Sequence, residues 1–280
     1  MGARRGHNVT ALGRDAIDFA SPALVPRAFS GSGKIDVVIN GAAYTKVDQA
    51  EAEPERANIV NGESVAVLSD ICARRGIPLI HLSTDYVFDG TKPTPYVETD
   101  ATNPINAYGR SKLMGEEAVR RSHAQHVILR TSWVYASHGT NFVRTMLKLG
   151  AERDELRIVD DQHGAPTSAR EIALAALDIA EAAERRKADM PWGTYHFTAA
   201  GETTWRRFAE RIFAESAPWT HIKAKIVPIA TAEYPTAARR PLNSCLDCRK
   251  IESAFGIGRR PWEDGLKEVL GELRMNARAK

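Results

Sequence analysis

The chain has 280 residues, of which 43% are hydrophobic and 26% charged, with a formal net charge of +3. This is the balance of an ordinary folded protein with ample core, and it excludes a disordered, fibrous or disulfide-stapled chain. Basic residues are interspersed with acidic ones, which argues against a nucleic-acid stripe, and no apolar run approaches membrane-spanning length.

In chain order, the runs 8–12 (NVTAL), 35–39 (IDVVI), 77–82 (IPLIHL) and 126–130 (HVILR) are short, apolar and without alternation. Such runs suit strands buried on both faces of a parallel sheet. Helical patterns lie between them, at 56–75 with Gly76 as a stop and at 107–121 with Asn106 as a cap. Strand and helix in alternation predict an α/β fold, a Rossmann-like doubly wound parallel sheet with right-handed crossovers.

After Arg130 the rhythm changes. A helix at 142–149, a strand at 156–159, the loop DDQHGAPTS, a helix at 170–186 and a strand at 194–198 returning to the sheet are expected. An amphipathic helix at 205–217, a Pro- and Arg-rich loop at 234–241 and two short terminal helices complete the chain. Cys72, Cys245 and Cys248 are too few for a disulfide framework, and the polar opening MGARRGHNV lacks the apolar core of a secretory signal, so a cytoplasmic setting is expected. Cys245 and Cys248 form a C-x-x-C, but a zinc site needs a second ligand pair.

The chemistry concentrates in two stretches, STDYVFDG at 83–90 and YGRSK at 108–112. Tyr108 and Lys112 stand four apart, on one face of a helix. An ammonium beside a phenol lowers the phenol's pKa, and a phenol within reach of a ketone oxygen can give it a proton. Thr84 ends a predicted strand and offers a second donor, and open α/β sheets bind their ligands just outside those strand ends. Taken alone, the pair also fits a solvated helix face, and Thr84 a strand-end residue bonded to backbone.

With their surroundings, these residues resemble the extended short-chain dehydrogenase/reductase superfamily and, within it, the dTDP-4-dehydrorhamnose reductases. The likeness runs in order through Asn40-Gly-Ala-Ala-Tyr-Thr-Lys-Val-Asp48, STDYVFDG, Glu98-Thr-Asp-Ala-Thr-Asn-Pro104, and Tyr108 with Lys112. It continues through Arg130-Thr-Ser-Trp-Val-Tyr135, Asn141-Phe142, Asp161-Gln-His-Gly-Ala-Pro-Thr167 and Arg240-Pro-Leu-Asn-Ser244. It implies a catalytic set of Thr84, Tyr108 and Lys112. Cofactor contacts are implied at Asp18, Phe19, Asn40, Ala43, Tyr44, Thr45, Tyr108 and Lys112, and substrate contacts at Thr84, Asp85, Trp133, Asn141 and Gln162. Arg239 and Arg240 are suited to a diphosphate. The implied domains are 1–140 with 168–198 for NAD(P) and 141–167 with 199–280 for substrate.

The implied reaction is reduction of the C4 ketone of a dTDP-linked 4-dehydro sugar by NADPH, with NADH as a second donor in some relatives. Some relatives also pair as homodimers around a magnesium ion, for which the sequence offers no assignable carboxylate cluster. A nucleotide-sugar epimerase uses the same Tyr and Lys. A non-catalytic regulatory subunit, such as that of methionine adenosyltransferase, carries both STDYVFDG and Y-G-x-[ST]-K. Trp133, Asn141 and the DDQHGAPT loop follow the reductase pattern.

The sequence departs from the resemblance at its start. No strand followed by a glycine-rich fingerprint precedes residues 8–12, and Gly31-Ser-Gly33 stands before a strand instead of after one. A strand, loop and helix of about thirty residues, half a βαβ unit, are expected to complete the pyrophosphate cradle in a full reductase.

Overall fold

In a computed structural model, which describes residues 1–278, four parallel strands form the main sheet in the order Val38–Asn40, Leu79–Thr84, His126–Thr131, Gly193–His196. Successive side chains of a strand point to opposite faces. Accordingly, Ile80, Val127 and Leu129 pack against Ile172, Ala175 and Ile179 of the helix Ala169–Arg186. Leu79 and Ile128 pack on the other face, against Val65, Leu68 and Cys72 of the helix Ser64–Arg75 and Val119 of the helix Ala107–Ser122. Two covered faces explain why the strands read as unbroken apolar runs, and the fold is the doubly wound α/β arrangement.

A second core joins Val143 and Met146 of the helix Phe142–Glu152 with Leu156 and Ile158 of the strand Glu155–Val159. Phe208 and Ile212 of the helix Trp205–Ser216 and Leu266 and Val269 of the helix Trp262–Arg278 complete it. The strand Glu155–Val159 pairs in parallel with Lys225–Ile229, apart from the main sheet. Among the described residues no helix is long and apolar enough to cross a membrane.

Three expectations need correction. Residues 8–12 form no strand: Val9 is 56% and Leu12 48% exposed. A strand exists only through its ladder, and the edge strand Val38–Asn40 pairs with Leu79–Thr84 alone. The single helix expected at 56–75 is instead the short helix Pro54–Asn58, a π-helical turn Ile59–Glu63 and the helix Ser64–Arg75. The widened turn brings the buried Asn61 amide inward, where its Oδ1 accepts from Tyr44 N at 2.8 Å and its Nδ2 donates to Ser111 Oγ at 2.9 Å. The last helix is also long, at 17 residues.

The helix Ala107–Ser122 starts as expected, with the Asn106 side chain accepting from Gly109 N at 2.7 Å. Two glycines let it sit unusually close to its neighbours. A Cβ on Gly109 would lie 2.1 Å from the Tyr86 carbonyl oxygen, and one on Gly115 would lie 2.2 Å from that of Asn61. Backbone cannot yield as a flexible side chain can. Gly109→Ala is therefore expected to destabilise the fold by about 1–3 kcal/mol, the usual penalty of overpacking, as read from chemical denaturation. An unchanged midpoint would show that the helix is not seated on Tyr86.

Candidate active site

The carboxyl ends of the central strands carry the first set of candidate residues. Thr84 ends the strand Leu79–Thr84, in register with Thr131 of the next strand. The hydroxyl of Thr84 donates to Asp85 Oδ1 at 3.0 Å and accepts from Tyr86 N at 3.1 Å, so a short helical turn begins where the strand stops. Tyr86 in turn meets Tyr108 edge to face, with ring centroids 5.7 Å apart. Thr84, Asp85 and Tyr108 thus come together at the strand end.

Burial pushes the Tyr108 phenol up to about 12. The nearby Thr84 hydroxyl works against this and the Asp85 charge adds to it. Lys112 is buried and its ammonium donates to the Leu82 carbonyl at 2.7 Å. Burial brings it down to about 8, opposed by the charge of Glu116. Desolvation outweighs the lowering expected from the ammonium, and Tyr108 is a neutral phenol at physiological pH. A neutral phenol is the form that can donate a proton.

Asp85 is buried, and this desolvation raises it to about 7 although Ser244, Thr84 and backbone amides favour the charged form. Its Oδ2 has no hydrogen-bond partner, and neither does the buried Thr131 Oγ1. Unsatisfied polar atoms of this kind are costly, and here they gather at adjacent strand ends. They fit polar groups of a ligand, and with Tyr108 and Lys112 they suit the nicotinamide-ribose end of a dinucleotide. The amide cradle for a pyrophosphate is not found among the described residues: no glycine-rich turn follows a strand in the dinucleotide pattern.

The segment after Val38–Asn40 is held beside this cluster. Asn40 accepts from Ala42 N at 3.0 Å and meets His81 Nδ1 at 3.0 Å. Tyr44 and Tyr108 both pack against the buried Ala50, Ala57 and Ala107, and Asp48 pairs with Arg240 at 2.7 Å while accepting from Ala238 N. Asn106 donates to the Arg239 carbonyl at 2.9 Å. The Arg-rich loop is therefore pinned both to the segment holding Ala43, Tyr44 and Thr45 and to the cap of the Tyr108 helix. Asp18 and Phe19 sit elsewhere. Asp18 accepts from Ala20 N in a local turn, and Phe19 is buried against Val25, Val65 and Leu68.

Trp133, just after the strand His126–Thr131, adopts a left-handed backbone, φ 47°, rare for an aromatic residue. Its ring stacks on Trp205 with centroids 3.6 Å apart. Trp205 Nε1 donates to Gln162 Oε1 at 3.1 Å, and Gln162 donates onward to Thr231. Trp133 and Gln162 are thus brought together by Trp205, which sequence reading leaves as an ordinary helix residue. Asn141 is not part of this group: it caps its helix, and its amide donates to the carbonyls of Ala136 and His138. Cys245 and Cys248 are buried and packed, and the Cys248 sulfur accepts from Thr198 N. A cleft of about 590 Å³ is lined by Arg239, Arg240, Asp161, His163 and Asn243 among others.

Sequence reading also misses Glu116 and the role of Arg130. Both are buried and joined by two hydrogen bonds, Nε to Oε1 at 2.9 Å and Nη2 to Oε2 at 2.6 Å. The signal available in the sequence was the period: Glu116 follows Lys112 by four residues on the same helix face.

Asp85 also yields a stability test. Its folded pKa lies above its ordinary 3.8, so the native state holds a proton longer than the unfolded chain. Stability from this group is full below pH ~4 and is lost as pH rises through about 7. Asp85→Asn should therefore melt higher than the parent at pH ~8, with the gap closing toward pH ~4. A gap that is constant across pH would show that Asp85 is not held in a desolvating setting.

The chain matches the family model described as RmlD substrate binding domain over residues 1–275. It is 44% identical to the dTDP-4-dehydrorhamnose reductase of Sinorhizobium fredii over 276 residues, covering 99% of this chain and 93% of that protein. It is 46% identical to that of Burkholderia thailandensis, covering 91% and 87%. Its fold superposes on a crystal structure of the Bacillus anthracis dTDP-4-dehydrorhamnose reductase in complex with NADP, at a TM-score of 0.87 and 32% identity, covering 96% and 92% of the two chains. The chain belongs to the dTDP-4-dehydrorhamnose reductase family of NAD(P)H-dependent oxidoreductases.

Proposed function

We propose that this chain reduces the C4 ketone of dTDP-4-dehydro-β-L-rhamnose to dTDP-β-L-rhamnose with NADPH as reductant. The observation that carries this reading is the meeting of Thr84, Asp85 and Tyr108 at the strand ends, with Lys112 one helical turn beyond Tyr108. The similarity to the reductases above, one of them in complex with NADP, supports the substrate and cofactor.

A reduced nicotinamide cofactor held at Lys112 and Tyr108 supplies the hydride. The neutral Tyr108 phenol gives its proton to the C4 oxygen as negative charge grows there. Thr84 turns its one hydroxyl proton from Asp85 Oδ1 to the same oxygen and shares the charge there. Lys112, desolvated but charged below pH ~8, holds the ribose hydroxyls and favours the phenolate that Tyr108 leaves behind.

The remaining candidates divide the nucleotide sugar between them. Trp133 and Gln162, coupled by Trp205, present an aromatic face and an amide to the deoxysugar, and Asn141 shapes the adjoining loop. Arg239 and Arg240 supply planar donors for the diphosphate along the cleft. Residues 141–167 with 199–280 act as the substrate lobe, which Trp133 meets through Trp205 from the cofactor domain, 1–140 with 168–198.

Tyr108→Phe should lower the rate of NADPH oxidation with the dTDP-4-dehydro sugar about 10²–10⁴-fold while leaving the melting temperature unchanged. A variant that keeps the parent rate would overturn the general-acid assignment.

A further inference from the structure

The catalytic helix carries a third chemical group besides Tyr108 and Lys112. Glu116 continues their face one turn further and is completely buried. Its carboxylate is fully used. Oε1 accepts from Ser83 Oγ at 2.6 Å and from Arg130 Nε at 2.9 Å, while Oε2 accepts from Arg130 Nη2 at 2.6 Å and Arg120 Nη1 at 2.9 Å.

The partners are as informative as the carboxylate. Ser83 and Arg130 face each other in register, each one residue before the strand-end threonines Thr84 and Thr131. The guanidinium of Arg130 also lies over the Phe88 ring at 5.0 Å and reaches His196 at 3.5 Å, so it has no freedom to swing away. One carboxylate thus ties the helix bearing Tyr108 and Lys112 to the two strands whose ends form the site. Such an ion pair is expensive to bury and is weak evidence of stability for its own sake.

Resting on the reductase reading, we propose that Glu116 is a positioning residue for the reduction. Clamped by Ser83 and Arg130, it sets the helix that carries Tyr108 against the strand that carries Thr84, and it places an anion one turn from Lys112 on the same helix face. The charge balance around Lys112 supports this. The strand Leu79–Thr84 contributes His81, which is buried and kept neutral, and Ser83. The neighbouring strands contribute Arg130 and His196, the latter also held neutral at physiological pH by burial. On the helix itself Arg120 is partly exposed, while Asp85 acts at the Tyr108 end and Glu51 bonds Ala107 N at the helix start. Among these, Glu116 is the anion that acts on Lys112, and Arg130, with Ser83 and Arg120, holds Glu116 ionised.

The test is Glu116→Gln, which keeps the shape and removes the charge, with Glu116→Asp as the partner that keeps the charge and shortens the reach. Lys112 is followed in cofactor-free protein labelled with ¹³C at lysine Cε, its resonance identified by loss in Lys112→Arg. In Glu116→Gln this resonance should titrate about one pH unit or more below the parent, and in Glu116→Asp close to the parent. In turnover, the fall in kcat at alkaline pH should move to lower pH in the glutamine variant by the same amount, with KM for the sugar little changed. The aspartate variant should lose kcat evenly across pH. A Lys112 resonance that titrates alike in parent and glutamine variant, or a kcat loss in the glutamine variant that is uniform across pH, would overturn the proposal. If the glutamine variant does not fold, the aspartate variant decides: an unshifted Lys112 with a lowered kcat supports positioning, and a parental kcat refutes it. The titration does not depend on turnover, so it separates failure of this proposal from failure of the reductase reading.

Discussion

The site depends on how closely one helix can approach backbone that is not its own. Ala107–Ser122 rests on the Tyr86 carbonyl at Gly109 and on the Asn61 carbonyl at Gly115, distances that any Cβ would forbid. The first contact brings Tyr108 to the turn that follows Thr84. The second locks the helix beside the π-helical turn whose Asn61 holds both Tyr44 and Ser111. Glycine at these two positions therefore acts through geometry: it sets how far Tyr108 stands from the strand end.

Burial then decides the chemistry. The same close packing that aligns these groups buries Lys112, Asp85 and Glu116 and half-buries Tyr108, and each responds by its own balance. Tyr108 and Asp85 shift toward their neutral forms, while Glu116 stays ionised because Arg130 and Ser83 outweigh its desolvation. Groups whose environments push their pKa values apart are the usual mark of an acid–base site. A protonated donor and a charged neighbour can then coexist within one helix face.

Much of this was legible in the sequence, and the reasons differ by element. The runs around Ile80 and Ile128 announce strands covered on both faces, because apolar residues must fill both sides of a parallel sheet. Asn106 announces the helix that carries Tyr108 and Lys112, because a cap side chain serves a local backbone amide. Residues 8–12 read as a strand by composition but lack a ladder, which is a non-local property. The π-helical turn at 59–63 and the link from Trp133 through Trp205 to Gln162 are likewise fixed by contacts distant in the chain. Glu116 lay in plain view at helical spacing. Its burial could be known only once Ser83 and Arg130 were placed beside it.

On the proposed function, this chain delivers a hydride and a proton to one sugar carbonyl. Incubation of the purified chain with dTDP-4-dehydro-β-L-rhamnose and NADPH carrying deuterium at the transferable nicotinamide position, followed by mass spectrometry of the product, tests it directly. The expected result is dTDP-β-L-rhamnose carrying one deuterium, located at C4. Failure to form product under conditions where a related reductase turns over, or product without deuterium at C4, would contradict it.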